Sequence, residues 1–298
     1  MPMNSMNDCI TYMEKKAKIV NEELQRYMRG LAGSPALIQS AMSYSLLSGG
    51  KRIRPVLLLA ANDMMFGSEK RALPFACALE MIHTYSLIHD DLPAMDNDTL
   101  RRGKPTNHVI YGEAVAILAG DALLNLAYEV MISECVSQGP SALMTAQYIA
   151  EASGCRGLIG GQCLDISATG QFTGEEALKE MHMMKTGAIL KAAVLSGIAL
   201  NNPGDDMIDA MRKYGYHLGM LFQITDDILD CVGSPEELGK SVGKDKDENK
   251  TTYVSLYGIE KARELARDHA DRAMKAMKGI EGVEFFRLLA QYILERKK

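Results

Sequence analysis

Two clusters of aspartates stand in sequence that otherwise has the apolar pattern of buried helices. The first lies in residues 90–96 and the second in residues 226–230. Ionised carboxylates at the end of an apolar helix face are costly unless a partner compensates their charge. A divalent cation is the simplest partner, and carboxylate oxygens suit Mg²⁺. The chain is therefore expected to fold into helices that bring both clusters to one site, although either cluster alone could be a solvated helix end.

The spacing within each cluster predicts its geometry. Asp226 and Asp230 are four residues apart, so they share one face of a helix. Asp90 and Asp96 are six residues apart, and Pro93 between them predicts a local distortion that returns Asp96 to the side of Asp90. Mg²⁺ usually bridges protein carboxylates to substrate phosphates. A phosphorylated ligand between two facing helices is the expected occupant.

Helical periodicity dominates the rest of the chain. Hydrophobic residues make up 47% of the 298 residues, Trp is absent, and Ala, Leu, Ile and Met carry most of the apolar content. That composition favours helices over a β-sandwich or barrel. We expect an all-α fold in one domain, residues 1–298, with a bundle of mostly antiparallel helices around a central cavity. The expected segments are residues 10–28, 35–48, 55–66, 72–92, 112–136, 173–200 and 205–232, then a polar loop over 239–250 and three short helices.

Charge, cysteine usage and segment length exclude other classes. The net charge of −5 argues against a nucleic-acid binder with a broad basic surface. The start of the chain has no apolar segment of signal-peptide length, and we expect no membrane span. The six cysteines form no C-x-x-C pair, which is typical of a reduced, cytoplasmic protein. They are Cys9, Cys77, Cys135, Cys155, Cys163 and Cys231.

Basic residues suited to a phosphorylated ligand accompany the acids. Arg grips phosphate through two parallel hydrogen bonds, and glycine permits close backbone approach. Taken singly, each cation could be a solvated loop charge, and His83 could be a core histidine. The candidates are Gly49 and Gly50 with Lys51, Arg52 and Arg54, then His83, Arg101, Arg102, Lys185, Lys240 and Lys250.

Together these residues resemble the trans-isoprenyl diphosphate synthases. Residues 49–55 are similar to that family's GGKRIRP element. Residues 90–103 resemble its first aspartate-rich motif in the DDxxxxD form, and residues 222–230 resemble its second. Gly160, Gly161, Gln162, Asp165, Lys185 and Thr186 also match family positions. The resemblance covers nearly the whole chain, with bacterial farnesyl diphosphate synthases the most similar, and it implies a fold of the isoprenoid synthase type.

The resemblance implies a role for each matching position. Mg²⁺ would be bound by Asp90, Asp91, Asp96, Asp226 and Asp230, with support from Asp227. The allylic diphosphate would be held by Arg101, Lys185, Thr186, Gln223 and Lys240, with Lys250 a weaker candidate. Isopentenyl diphosphate would be held by Gly50, Lys51, Arg54, His83 and Arg102, and the tail at residues 296–298 would close over it or be a frayed end. The catalytic set would be Asp90, Asp96, Asp226, Arg101, Lys185 and Lys240.

The implied reaction is ionisation, condensation and elimination. Mg²⁺ and basic side chains would stabilise the leaving diphosphate, and the double bond of isopentenyl diphosphate would attack the allylic cation. Tyr85 and Ser86, five and four residues before Asp90, would limit chain growth and favour farnesyl diphosphate. A homodimer is also implied. The alternatives are a geranylgeranyl diphosphate synthase, a terpene cyclase or a noncatalytic partner subunit.

Overall fold

Helices supply nearly all the regular structure in the computed structural model, which describes residues 3–168, 170, 172, 174–232 and 251–296. The all-α prediction is confirmed. In chain order the helices are α1 Met6–Gly30, α2 Ala36–Leu46, α3 Ile53–Met64, α4 Glu69–Asp90, α5 Asn107–Tyr111, α6 Glu113–Gln138, α7 Pro140–Ser153, α8 Leu158–Ala168, α9 Glu175–His182, α10 Ala188–Ala199, α11 Asp205–Val232, α12 Tyr253–Tyr257, α13 Ile259–Ala276 and α14 Glu284–Glu295.

Glycine, proline and capping residues divide these helices much as the sequence predicts. Ser5 and Asp8 form a reciprocal capping box at the start of α1, which ends at Gly30. Gly139 has φ +78° and separates α6 from α7, whose first residue is Pro140. Pro55 does not begin α3 as expected, because the helix starts at Ile53 and accommodates the proline in its first turn.

The single helix expected over residues 173–200 is wrong in its interior. Between α9 and α10 the segment Met183–Gly187 is π-helical. Close backbone contacts surround this segment. A Cβ on Gly161 would lie 2.2 Å from the backbone nitrogen of Lys185, and a Cβ on Gly219 would lie 2.6 Å from the Cα of Gly187. The wider turn therefore lies where α8 and α11 approach it most closely.

A minimal hairpin also departs from the expectation of no strands. Leu100–Arg101 (β1) pairs antiparallel with Lys104–Pro105 (β2). The turn residues Arg102 and Gly103 have φ +54° and +72°. Two positive φ angles are typical of the tight turn that matches strand twist. The hairpin was missed because two residues are too few to show a period of two.

The core is formed around α4 and α10. Both helices are apolar on nearly every side: Phe75, Leu79 and Ile82 of α4 and Leu190 and Val194 of α10 are fully buried. Helix α4 packs against α3 and α6, whereas α10 packs against α3, α7 and α11. Burying one such large side chain stabilises the fold by roughly 1.5–3 kcal/mol. The two helices that carry the acidic clusters, α4 and α11, are thus both fixed by the core.

Helix α6 is long and apolar enough to cross a membrane by length and composition, with a mean hydropathy of 1.6 over the best window. It packs against α2, α4, α5 and α7. A core helix with an apolar outer face gives the same signal. Leu118, Ile132 and Val136 supply that outer face and are 58%, 61% and 85% exposed.

Candidate active site

The first acidic cluster lies at the carboxyl end of α4. Helix α4 ends at Asp90, and the chain then turns back on itself. The backbone N–H of Asp96 donates to the carbonyl of Asp90 at 2.9 Å, while Met95 and Asn97 both donate to the carbonyl of Leu92. This turn brings Asp96 beside Asp90 despite the six-residue spacing.

Burial and a neighbouring acid raise the pKa of Asp90. Desolvation raises the pKa of Asp90 to about 7, Lys185 opposes the shift, and the neighbouring Asp96 adds to it. Two acids held close in a poorly solvated site favour a cation between them. The arrangement therefore suits a bound divalent ion.

Asp91 has a different environment from Asp90. Its side chain is 3% exposed, and its Oδ1 lies 2.7 Å from Nε and from a terminal nitrogen of Arg101. The pair fixes Arg101, which stands on β1 just after the cluster. Asp91 thus holds a cation of the protein itself, and its predicted role as a metal ligand stays a prediction.

Lys185 projects from the π-helical segment toward the acids. Its Nζ lies 2.5 Å from Oδ2 of Asp165 on α8. Desolvation lowers the pKa of Lys185, but Asp165 and Asp90 more than offset it, so the pKa is raised. Lys185 therefore stays charged beside Asp90, where an anionic leaving group would need it. Thr186 lies in the same segment and is half-buried.

The second cluster lies near the end of α11. Asp227 is 5% exposed and accepts hydrogen bonds from the backbone N–H of Tyr253 at 2.8 Å and from Nε2 of Gln223 at 3.2 Å. Asp226 and Asp230 are half-buried. Asp227 thus anchors the chain where it enters α12, while Asp226 and Asp230 lie along the same helix face.

Arg296, just past α14, contacts the second cluster. Its guanidinium donates to Oδ1 of Asp226 and, at 3.0 Å, to the carbonyl of Phe222. It also stacks 4.1 Å from the centre of the Phe222 ring, and its side chain is 7% exposed. The tail residue expected near the second diphosphate therefore lies on the acidic side of the site in this structure.

The cations predicted for isopentenyl diphosphate gather around His83. A guanidinium nitrogen of Arg54 lies 3.3 Å from Nε2 of His83. Burial, then Arg54 and Arg102, hold the pKa of His83 well below its usual range, so the ring is neutral. Burial lowers the pKa of Arg54, with Glu80 and Asp226 opposing. Like charges around a neutral ring form a site suited to an anion.

Gly50 gives Arg102 access to this region. Gly50 has φ +116°, and a Cβ there would lie 2.6 Å from the guanidinium carbon of Arg102. Arg102 donates to the carbonyl of Gly49. The Nζ of Lys51 lies 5.4 Å from the centre of the Tyr292 ring. The structure thus brings Gly50, Lys51 and Arg102 together.

Arg52 of the same element is structural. It is 3% exposed, forms a 2.6 Å ion pair with Glu80, and donates to Asn21 at 2.9 Å and to the carbonyl of Leu46 at 2.6 Å. Because its charge is buried and fully paired within the protein, Arg52 stabilises the fold and does not bind a ligand.

A cavity of about 350 Å³ begins at Asp90 and extends between α4 and α8. Tyr85 and Ser86, the predicted chain-length residues, both line it. Its other walls are mostly apolar: Met95, Leu158, Ile159, Cys163 and Ile166, with His89, Gln162 and Ser167. An apolar tail would fit here with its charged end at the acids.

The acids fit Mg²⁺ as pairs. Within the residues that the structure describes, no three His, Cys, Asp or Glu side chains are grouped to enclose a metal ion. Mg²⁺ commonly takes one or two carboxylates and keeps waters or substrate phosphates as its other ligands. Asp90 with Asp96, and Asp226 with Asp230, match that donor set. Lys240, Lys250, Lys297 and Lys298 lie outside the described residues.

Sequence reasoning gave no role to two residues of this site. Asp165 and Gln162 match family positions, but only the fold shows their contacts with Lys185 and with the cavity. The tail was expected to close over isopentenyl diphosphate or to be a frayed end, and the structure places Arg296 against Asp226, whose charge also acts on Arg54.

Comparison with known proteins decides the family. A model of the polyprenyl synthetase family matches residues 35–284. The chain belongs to this family. It is a prenyltransferase of isoprenoid biosynthesis with the helical fold of prenyl synthases.

Relatives and solved structures are similar over most of their length. The large subunit 1 of the heterodimeric geranylgeranyl pyrophosphate synthase of Arabidopsis thaliana, a chloroplastic protein, is 48% identical over 265 residues, 87% of this chain and 71% of that protein. The geranylgeranyl diphosphate synthase of Cyanophora paradoxa is 45% identical over 263 residues, 88% of this chain and 87% of that protein. The apo structure of an FPP/GFPP synthase from Zymomonas mobilis is 33% identical, with a TM-score of 0.88 over 97% of this chain and 100% of that one.

The comparison corrects one prediction. The predicted cytoplasmic location is wrong, because the Arabidopsis subunit and several other similar relatives are named as chloroplastic proteins. Reduced cysteines indicate a reducing environment, which does not single out one compartment.

Proposed function

We propose that the protein joins isopentenyl diphosphate to dimethylallyl or geranyl diphosphate and releases farnesyl diphosphate. The observation that carries the proposal is the apolar cavity that begins at Asp90 and has Tyr85 in its wall. It gives one elongating chain a place beside the first acidic cluster. One domain over residues 1–298 is part of the proposal, supported by a single cluster of buried apolar side chains drawn from α1 to α14.

The residues divide into an acidic side and a basic side. Asp90, Asp96, Asp226 and Asp230 would hold Mg²⁺, which when bound supplies electrophilic stabilisation of the allylic diphosphate. Lys185 and Arg101 bind the same diphosphate from the protein. Arg54, Arg102 and Lys51 bind isopentenyl diphosphate near the neutral His83. Thr186 and Gln223 complete the allylic side, and Lys240 and Lys250 stay candidates there.

The positions of these residues support each step of the proposed reaction. Lys185 is held by Asp165, so its charge is already in place where the leaving diphosphate gains negative charge. The apolar walls exclude water, which would otherwise capture the allylic cation. The double bond of isopentenyl diphosphate attacks that cation, and a proton is lost to the released diphosphate.

Tyr85 supports the C15 product over a longer one. It lies five residues before Asp90 on α4, roughly 7 Å further along the helix, and its ring packs edge-on against His89 at 5.7 Å. The ring narrows the cavity below the first prenyl units. The second candidate, geranylgeranyl diphosphate, is favoured by the names of the Arabidopsis and Cyanophora relatives.

We propose that the protein is a homodimer that pairs through the exposed face of α6. Leu118, Ile132 and Val136 align on that face, and Leu143 of α7 adds to it at 62% exposure. Asp121, Asn125 and Glu129 are exposed between Leu118 and Ile132 on the same face, so the proposed interface combines apolar and polar contacts, as subunit interfaces commonly do. The Arabidopsis relative is named as part of a heterodimer, which supports an interface in this family.

Product analysis tests the reaction. The protein would be incubated with isopentenyl diphosphate and either allylic diphosphate, with and without Mg²⁺, and the products separated by chromatography. We expect a Mg²⁺-dependent C15 product and at least about 100-fold slower turnover in Asp90→Ala, because a positioned electrostatic group is lost. A C20 product would replace the farnesyl assignment, and no condensation by folded protein would refute the reaction.

A further inference from the structure

Two buried polar side chains in the cavity wall have no hydrogen-bond partner among the described residues. They are the hydroxyl of Tyr85 and both amide atoms of Gln162. Buried polar groups are paired in most folded proteins, so each exception requires an explanation. Both residues line the cavity that begins at Asp90.

The two groups lie on different walls of the cavity. Tyr85 lies five residues before Asp90 on α4, roughly 7 Å along that helix. Gln162 lies on α8 next to Gly161, which abuts the backbone of Lys185, and Lys185 stands beside Asp90. Both groups therefore line the cavity that begins at Asp90, where the proposed synthase would place its growing chain.

The neighbouring hydroxyl provides a contrast. Ser86 lines the same cavity, but its Oγ donates to the carbonyl of His83 at 2.9 Å. Its hydrogen-bonding capacity is met whatever occupies the cavity. Tyr85 and Gln162 can be satisfied only by a polar molecule that enters the cavity, after a small rotation of the side chain. Water can do this, and a hydrocarbon chain cannot.

We propose that the Gln162 amide and the Tyr85 hydroxyl form a polar barrier that limits product length. A chain that stops above this level leaves room for water to pair with both groups. A chain that grows past it displaces the water and leaves them unpaired. This inference rests on the proposed synthase activity, and it assigns the limit to polarity in addition to the bulk of the Tyr85 ring.

The test separates polarity from bulk. Tyr85→Phe removes the hydroxyl and keeps the ring, and Gln162→Met removes the amide with little change in length. With excess isopentenyl diphosphate, we expect each variant to raise the ratio of the next longer product to the main product by at least about five-fold. Ser167→Ala is the matched control and should leave that ratio unchanged, because Ser167 lines the same cavity and its Oγ donates to the carbonyl of Cys163 at 2.8 Å. The melting temperature of Tyr85→Phe should be no lower than that of the wild type, because no hydrogen bond to another described residue is removed.

The outcomes are distinguishable from failure of the proposed function. If the wild type makes C15 and both variants keep its ratio, or Ser167→Ala shifts it equally, the barrier is refuted while the synthase stands. If the wild type makes mainly C20, the farnesyl assignment falls and the C25-to-C20 ratio tests the barrier. If the folded wild type makes no condensation product, both proposals fall together.

Discussion

Asp226, a predicted metal ligand, is already paired with a cation of the protein. Arg296 contacts both Asp226 and the carbonyl of Phe222 and is almost fully buried. A hydrogen bond between charged partners stabilises by about 1.5–3 kcal/mol. A metal ion that binds Asp226 must therefore displace Arg296 or share the carboxylate with it.

We predict that Arg296→Met tightens Mg²⁺ binding by about three- to ten-fold, because a competing cation is removed from a half-exposed carboxylate. Calorimetric titration of Mg²⁺ in the presence of inorganic diphosphate measures this. Arg267→Met is the control, because Arg267 lines the same cavity as Arg296 and no hydrogen bond or ion pair joins it to Asp226 in the described part of the chain. Unchanged or weaker Mg²⁺ binding in Arg296→Met would show that the arginine does not compete.

For single residues, the spacing of the aspartates in the sequence was enough to predict which acids form the site. The folded structure was needed to identify the residues that pair with them. The return of Asp96 to Asp90 could be expected from Pro93, since proline disfavours helix at the preceding residue. The pairing of Arg101 with Asp91 depends on a hairpin that could not be predicted from the sequence of residues 100–105. Sequence shows which residues carry charge, whereas their contacts depend on tertiary packing.

At the scale of elements, a histidine pair joins α11 to α13. Nδ1 of His217 lies 3.0 Å from Nδ1 of His269, and the ring centres are 5.2 Å apart. At this distance the two nitrogens share one hydrogen bond, so one ring donates and the other accepts. Arg272, Asp268 and Lys179 are the charged groups that act on the pair. If both rings carry an Nδ1 proton at the same time, this contact is broken.

We predict that the contribution of His269 to the free energy of unfolding falls between pH 7.5 and pH 5.5. Burial, then His217, lowers the pKa of His269 to about 4, below its ordinary 6.5. The unfolded chain therefore takes up a proton first, and stability is lost as pH falls from about 6.5 toward 4. The contribution of His269 over this interval is about 1 kcal/mol after allowance for its partial exposure.

Urea unfolding of the wild type and His269→Gln at both pH values isolates that contribution. The variant should lose less stability on acidification. His83, His182 and Asp90 contribute equally to both proteins, whereas His217 loses its partner ring in the variant, so the difference measures the histidine pair. Equal pH dependence of the two proteins would remove His269 from the account.

The elements themselves were predictable where periodicity is long. Helices α1, α4, α6 and α11 follow from apolar spacing and from glycine or proline stops. The π-helical turn at Met183–Gly187 was not predictable, because its extra residue is stabilised by contacts with Gly161 and Gly219 from elsewhere in the chain. Short elements such as α5 and the hairpin carry too few residues for any period to show.

At the scale of the whole molecule, the outer face of α6 exposes three large apolar side chains, Leu118, Ile132 and Val136. A second copy would cover them and account for the membrane-like hydropathy of α6. Leu118 lies on this face, whereas Leu37 of α2 is similarly exposed, at 56%, and lies outside it.

We predict that Leu118→Glu converts the dimer to a monomer, because a charge would be buried at the interface. Light scattering after size exclusion measures the mass. Leu37→Glu, a matched exposed leucine, should stay dimeric. A wild-type monomer of 32.7 kDa would refute the dimer directly.

Each acidic cluster divides two tasks between adjacent residues. Asp90 and Asp226 face the site, while Asp91 and Asp227 are buried and tie down Arg101 and Tyr253, in the segments that follow. Each short stretch therefore supplies one side chain for the site and one structural contact. A change at the first position of either pair alters what the protein can hold, whereas a change at the second alters where the following chain is held. The two neighbouring aspartates of a pair are identical in chemistry, but the first is constrained by the site that it faces and the second by the segment that it holds in place.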